Sequence, residues 1–295
     1  MLTVLHYRHQ KEGRDMKRRL LRASLLELLS QTKFWMAWAV GISLTLLPTY
    51  RFSSYLSAIG GKMQLLECYT IISSTASYFS GIVIGMILIV SDAPFISERT
   101  ITEMIRCGKK AWYATKVQTT AIVIFFYLLS VLAASFIIPM CCGLDVSLDN
   151  AWSSSMMMLV RNPSTFVATF KLYFPYDECM QTTLPYALGT LAFALNYLYL
   201  LTLGLVAFAF NMIGNRAYGV AAAILWHLVG YIIYANGPMY FPQQLSLLSS
   251  SMAVLQYTSV YQLNVWNSLV IFSFVIVALL TFIRLLSISN RCLER

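Results

Sequence analysis

The uncharged stretch YTIISSTASYFSGIVIGMILIV (residues 69–90) runs directly into the polar stretch SDAPFISERTITEMIRCGKKAWYATK (residues 91–116). The first stretch is long enough to cross a bilayer, which requires about 20 apolar residues. Its small residues recur at every fourth position and predict a stripe on one helix face: Ser73, Ser77, Gly81 and Gly85. Such a stripe lets another helix approach closely, because helices in lipid associate through close packing. We interpret the two stretches as a membrane-spanning helix joined to a structured inner loop.

The composition of the whole chain agrees with this interpretation. Charged residues make up 11% of the chain, hydrophobic residues make up 58%, and the mean hydropathy is +0.67. A soluble globular protein has roughly 25% charged residues. The sequence therefore predicts an all-α integral membrane protein and excludes a soluble domain.

The apolar segments predict six transmembrane helices with both termini on the cytoplasmic side. The predicted spans are Phe34–Tyr50, Tyr69–Val90, Val117–Met140, Tyr186–Phe210, Tyr218–Ala235 and Trp266–Leu286. Of the 21 lysines and arginines, only four fall outside on this topology, namely Arg51, Lys62, Arg161 and Lys171. An excess of basic residues on the cytoplasmic side is the usual orientation signal. The net charge of +9 is explained in the same way and predicts no nucleic-acid partner.

The segments outside the spans divide the chain further. Residues 1–33 are basic, and their leucines are spaced as in an amphipathic helix on the inner membrane surface, with a solvated basic tail as the alternative. The six spans fill residues 34–286, and residues 287–295 form a cytoplasmic tail. Between spans lie the inner loop 91–116, a long outer loop 141–185 and an outer segment 236–265 with a re-entrant or interfacial apolar piece.

The long outer loop carries two features of its own. Ala151–Val160 and Thr165–Phe174 are apolar but far too short to span, so we expect them to lie on the surface. Cys141 or Cys142 and Cys179 share this loop, which leaves a disulfide bridge open beside the alternative of small buried thiols.

No pattern in the chain points to catalysis. The H-E-x-x-H and G-x-x-x-x-G-K-[ST] motifs are absent, and no spacing of cysteines or histidines predicts a metal site. No charged residue lies near the middle of a predicted span, which argues against a proton relay or ion site. His227 and Asn196 are the notable polar residues within spans, and we interpret both first as interhelical hydrogen-bonding groups and second as candidates for a translocation path.

The inner loop has the most specific pattern. Ser97 is suited to cap a helix with Glu98 in its first turn, and Gly108 is suited to the position after the helix. Ile101, Met104 and Ile105 share one face of that helix. The pattern fits a plain amphipathic surface helix and equally a helix that docks onto a cytoplasmic partner.

The residues Glu98-Arg99 … Glu103 … Arg106-x-Gly108 … Trp112-Tyr113 … Lys116, placed directly after the second span, resemble the permease subunits of ABC-2 type transporters. The basic N-terminal helix, the six spans and the apolar outer piece before the last span resemble the same family. The outer loop 141–185 departs from it, because such permeases often have a brief link there.

The resemblance implies a type V exporter-like architecture, in which two permease chains, here expected as a homodimer, work with two ABC ATPase subunits. ATP and Mg would then be bound by the ATPase subunits and no cofactor by this chain. The residues implied to contact the ATPase are Glu98, Arg99, Thr102, Glu103, Arg106 and Gly108. The transport path would lie between permease chains along the second and fifth spans. The stripe that begins at Ser73 would then contact the other chain, with packing inside one chain as the equal alternative.

We therefore expect a non-enzymatic permease of the plasma membrane that exports an amphipathic or apolar cargo such as a peptide, a lipid or a drug-like molecule. Export of an antimicrobial peptide is suggested by family analogy alone. The alternatives are a self-contained secondary carrier or channel, and a structural membrane partner without transport activity.

Overall fold

The computed structural model describes residues 16, 18–95, 100–172, 174, 176–214, 216–238 and 240–288, and this part of the chain is mostly helical. Its helices are α1 (18–29), α2 (Thr32–Ile59), α3 (Glu67–Ser74), α4 (Ala76–Val90), α5 (Thr100–Cys107), α6 (Lys109–Cys141), α7 (Ser154–Arg161), α8 (Pro163–Phe170), α9 (Asp177–Thr182), α10 (Pro185–Ile213), α11 (Arg216–Asn236), α12 (Leu247–Ser251) and α13 (Val265–Ile288). Two short strands, β1 (Met63–Gln64) and β2 (Val146–Ser147), pair in parallel. Single 3₁₀ turns cover Gln243–Leu245, Ala253–Tyr257 and Ser259–Tyr261.

Four helices in the described ranges are long and apolar enough to cross a membrane: α6, α10, α11 and α13. The pair α3 and α4 makes a fifth if it is counted as one broken span. Helix α2 contains the first predicted span and has 28 residues, but Thr45, Thr49 and Arg51 make it less apolar, and it is not among the four. The prediction of a helical membrane protein is confirmed, whereas the number of six spans stays a prediction.

Helix α10 is the centre of the bundle. Of the residues in its most apolar section, 67% are buried by the rest of the protein. The helix packs against α4, α6, α11 and α13. Its sequence is apolar on every side, which is typical of a helix surrounded by other helices. Helix α2 packs along α4 and α6, whereas α13 lies at the edge and is only 11% buried.

The second predicted span is not one continuous helix, and this corrects the prediction for residues 69–90. Thr75 is extended, with φ −106° and ψ 111°, and α3 and α4 meet there at 89°. The hydroxyl groups of Thr70, Ser73 and Ser74 donate to backbone carbonyls one turn back, those of Leu66 and Thr70. Such bonds compete with the helical ladder and bend helices. This run of hydroxyl residues ends at the break, and Ser73, the first residue of the predicted packing stripe, belongs to it.

The outer segments pack onto the ends of the helices as short elements. The two apolar pieces predicted in the loop 141–185 correspond to the short helices α7 and α8. Their anchor is Glu67, which is fully buried and accepts hydrogen bonds from Gln64 N (2.8 Å), Ser153 N (2.7 Å) and Ser153 Oγ (2.8 Å). In the segment 236–265, α12 is buried against α10, α11 and α13. The depth of α12 in a bilayer stays a prediction.

The buried face of the N-terminal helix overlaps only partly with the predicted stripe of Leu21, Leu25, Leu28 and Leu29. Leu20, Ser24 and Leu28 are buried at successive fourth positions, Leu21 and Leu25 are partly buried, and Leu29 is exposed. The buried face includes a serine because Ser24 meets a buried lysine on α6. The earlier part of the predicted helix lies outside the described residues, apart from Met16.

Candidate functional site

The candidate site is the short helix α5 together with the elements that hold it, at the end of the bundle where α1 also lies. Of the residues predicted to contact an ATPase, Glu98 and Arg99 fall outside the described residues, as does the predicted cap Ser97. Thr102 and Arg106 are exposed on α5, in line with Ile105, whose side chain is 79% exposed. We call Thr102, Ile105 and Arg106 the exposed face of α5.

The opposite face of α5 is turned towards the protein. Met104 is buried, although the sequence pattern grouped it with Ile105. Glu103 is directed inward too: its Oε2 accepts a hydrogen bond of 2.9 Å from Trp112 Nε1, and its side chain is only 17% exposed. Glu103, which the resemblance implied to contact the ATPase, therefore lies off the exposed face and joins α5 to α6.

Gly108 separates α5 from α6 as the sequence predicted. Its φ of 77° lies in the left-handed region, and its N–H donates to Met104 O at 2.9 Å. Its ψ of 145° differs from that of the αL conformation most common after a helix, and the positive φ is one that glycine adopts without strain. Residues 109–116, which were predicted as part of the inner loop, continue instead as the first turns of the 33-residue helix α6.

Lys116 joins three elements in one buried cluster. It is fully buried, its Nζ donates to Ser24 Oγ on α1 at 3.1 Å, and Nζ lies 3.9 Å from Glu103 Oε2. Nζ also lies 5.3 Å from the centroid of the Trp112 ring, which is a favourable cation–π distance. We call Ser24, Glu103, Trp112 and Lys116 the lysine cluster. It ties α1, α5 and α6 together, so these elements are expected to move as a unit.

A second junction at the same end of the bundle was not predicted. Asn211, near the end of α10, donates from Nδ2 to Ser91 O (2.9 Å) and Ala93 O (2.7 Å), and its Oδ1 accepts from Gly219 N at 2.9 Å. One side chain of α10 thus joins the turn after α4 to the first turn of α11. Gly219 must lack a side chain, because a Cβ there would overlap Asn211 Oδ1 and Ala207 O. The only sequence signal was an asparagine beside an apolar span.

Replacing Asn211 by alanine is expected to lower the free energy of unfolding by about 2–3 kcal/mol, because three hydrogen bonds of about 1 kcal/mol each are lost. The measurement is thermal unfolding of the detergent-purified chain. The matched control is Asn236→Ala, since Asn236 donates only to Ile232 O of its own helix and is exposed. Equal losses in the two variants would contradict a junction at Asn211.

The predicted small-residue stripe is divided by the bend. Ser73 lies on α3, whereas Ser77 is exposed on α4. Gly81 and Gly85 both face α2 inside the chain: a Cβ at Gly81 would lie 3.2 Å from Leu44 Cβ, and one at Gly85 would overlap Gly41 Cα and the Tyr127 hydroxyl. For the two glycines the structure thus supports the alternative of packing within one chain.

The two predicted intramembrane polar residues each bridge helices. His227 on α11 lies 2.9 Å from Ser80 Oγ on α4 through Nε2, and 2.8 Å from the Tyr199 hydroxyl on α10 through Nδ1. Asn196 donates from Nδ2 to the Tyr69 hydroxyl at 3.1 Å. These contacts agree with the interhelical interpretation, and the contact between His227 and Ser80 joins the predicted second and fifth spans.

The cysteines form no bridge in the described part of the chain. Cys141 and Cys142 are exposed thiols, whereas Cys179 is a buried thiol 3.5 Å from Thr183 Oγ1. Burial raises the pKa of the Cys179 thiol to about 11. The alternative of a disulfide is therefore replaced by that of a small buried thiol for Cys179. Among the described residues, no group of three or more His, Cys, Asp or Glu side chains is arranged to hold a metal ion.

Comparisons of the chain with models of protein families, with curated proteins and with solved structures found no match.

Proposed function

We propose that this chain is the membrane-spanning permease subunit of an ATP-driven exporter of the ABC-2 type. The observation that carries the proposal is the division of α5 into an exposed face, centred on Ile105, and an anchored face that ends in the lysine cluster. A helix with these two faces is suited to receive a partner on one side and to pass its displacement to the bundle on the other.

The exposed face has the composition of a small docking surface. Ile105 is a large apolar side chain that is 79% exposed, and Thr102 and Arg106 flank it on the same face. An apolar anchor within a polar rim is the usual arrangement at the core of a protein interface. The partner proposed for this surface is an ABC ATPase, which would bind ATP and Mg itself.

The lysine cluster supplies the mechanical connection that the proposal needs. A displacement of α5 acts on Glu103, and through Lys116 it reaches α6 directly and α1 through Ser24. Buried and tightly packed contacts transmit such displacement because protein interiors have low compressibility. Two spanning chains, each with one such helix and one ATPase, form the proposed homodimeric exporter of the plasma membrane.

The apolar groove beside α11 favours an apolar or amphipathic cargo. This groove has a volume of about 450 Å³ between α10, α11 and the segment before α12, and Tyr199, Leu225 and Trp226 contribute to its walls. No charged side chain lines it. The groove lies along the proposed fifth span, where the transport path between two permease chains is expected.

Ile105→Glu tests the docking face. The experiment begins with the identification of a neighbouring gene that encodes an ABC ATPase. That ATPase is co-expressed with this chain and is captured through an affinity tag on this chain. We expect wild type to retain the ATPase and Ile105→Glu to weaken binding about 30-fold, since loss of a central apolar anchor costs about 2 kcal/mol.

The matched control is Leu148→Glu, which places the same charge at a leucine that is 71% exposed on the loop 141–185. The control is expected to bind the ATPase as wild type does. The proposal is wrong if the co-expressed ATPase does not bind wild type, or if Ile105→Glu binds it as tightly as the control does.

A further inference from the structure

A cleft opens between the first turns of α6 and the last turns of α13. It has a volume of about 470 Å³, and the proposed function does not use it. Its walls include Lys110, Tyr113, Gln118, Leu280, Ile283 and Arg284. Both helices are among those able to cross a membrane, and the cleft lies where α6 begins and α13 ends. It therefore opens at one edge of the membrane-spanning bundle.

The charge at this cleft is positive and uncompensated within the described residues. The side chains of Lys110 and Arg284 are exposed, and neither forms a hydrogen bond or an ion pair with a described residue. No aspartate or glutamate lines the cleft. Two cations from two different helices thus face one cleft. This arrangement favours the binding of one anion at a defined position between them, in place of mobile counterions from the solvent.

Apart from Gln118 and Ser287, the remainder of the cleft is lined mainly by apolar and aromatic side chains. Val117 on α6 and Leu280 and Ile283 on α13 lie further along the same helices, towards the middle of the bundle. A ligand that fits must therefore combine a negative group at the membrane edge with a hydrocarbon portion. Free phosphate would satisfy the cations and leave the apolar walls uncovered.

We propose that this cleft binds one anionic phospholipid. Its phosphate group lies against Lys110 and Arg284, and an acyl chain follows the groove past Val117 and Leu280. Basic pockets between membrane helices are known to bind lipid headgroups in this way, and long cationic side chains reach readily to the interface. The inference is independent of an ATPase partner and of the direction of transport.

The test uses the full-length chain in detergent micelles, with native mass spectrometry to count bound lipids. The probes are dioleoyl phosphatidylglycerol, dioleoyl phosphatidylcholine and glycerol 3-phosphate, each titrated separately. Wild type is expected to retain one phosphatidylglycerol more tightly than phosphatidylcholine, and to bind glycerol 3-phosphate much more weakly. The double variant Lys110→Gln with Arg284→Gln is expected to bind phosphatidylglycerol about 30-fold more weakly, since each cation contributes roughly 1 kcal/mol.

The matched control is Arg22→Gln with Lys109→Gln, which removes the same charge from exposed positions at the same end of the molecule but outside the cleft. It is expected to bind phosphatidylglycerol as wild type does.

Ala114→Phe keeps both cations but fills the cleft, and it is expected to weaken lipid binding too. An equal loss in the control would indicate general surface attraction and overturn the site, as would full retention of phosphatidylglycerol by the Lys110/Arg284 variant. Equal affinity for glycerol 3-phosphate would overturn the lipid in favour of a soluble phosphate.

Discussion

Gly85→Leu is expected to lower the free energy of unfolding of the isolated chain by about 3 kcal/mol or more, at the upper end of the range for overpacking. The position has no room, because even a Cβ there would overlap Gly41 Cα on α2 and the hydroxyl of Tyr127 on α6. That hydroxyl is itself fixed by a 3.0 Å hydrogen bond to Ile82 O. The three helices would have to separate to admit a leucine. The measurement is thermal unfolding in detergent, followed by size-exclusion chromatography.

Ser77→Leu is the matched control for this prediction. It places the same side chain on the same helix, two turns earlier, at a position that is exposed. We expect a change within about 0.5 kcal/mol, as for other surface substitutions. A stable Gly85→Leu monomer that fails only to assemble would contradict packing within the chain and would favour contact between two chains.

Glu103→Ala is expected to lower the free energy of unfolding by about 3 kcal/mol. The substitution leaves the fully buried Lys116 without the carboxylate 3.9 Å away and removes the acceptor of the Trp112 Nε1–H. Removing one partner of a buried pair is costly because the other charge stays in a medium that solvates it poorly. The same variant should also loosen α5 from α6, which hydrogen exchange of the α5 amides measures as faster exchange.

Adding Lys116→Met to Glu103→Ala is expected to recover more than half of the lost stability, because no buried charge then remains. Such non-additivity is characteristic of residues in direct contact. Arg106→Ala, on the exposed face of the same helix, is the control and should change stability by no more than about 0.5 kcal/mol. If Glu103→Ala matched Arg106→Ala, the lysine cluster would not be an anchor.

The sequence was sufficient to predict features that depend on local chemistry. Apolar runs of 18 to 25 residues predicted the helices α6, α10, α11 and α13, and the positive φ at the residue after α5 followed from Gly108. The two apolar pieces of the loop 141–185 were predicted to be too short to span, and each overlaps one of the short helices α7 and α8. In each of these cases the information lies within one stretch of chain.

Features that depend on contacts between distant residues were not predicted. Nothing near Glu103 in the sequence indicates that its side chain turns towards Lys116. The position of Lys116 depends in turn on Ser24 of α1, which lies 92 positions earlier in the chain. The anchoring of the outer loop by Glu67 depends in the same way on Ser153, which is 86 positions distant. The signal for the bend at Thr75 was local, but the prediction of a stripe used only the spacing of Ser73 with Ser77, Gly81 and Gly85 and not the hydroxyl groups of Thr70, Ser73 and Ser74 that bond to the backbone.

The bend at Thr75 also has a consequence for the surrounding bilayer. Helix α4 has 15 residues, so it rises only about 22 Å, whereas the hydrocarbon layer is about 30 Å thick. Every residue of α3 is buried by protein, so α3 offers no lipid-facing surface that would make up the difference. If the pair of α3 and α4 crosses the membrane as one broken span, acyl chains alongside α4 must shorten or tilt, and the protein would favour a locally thin patch of membrane on that flank.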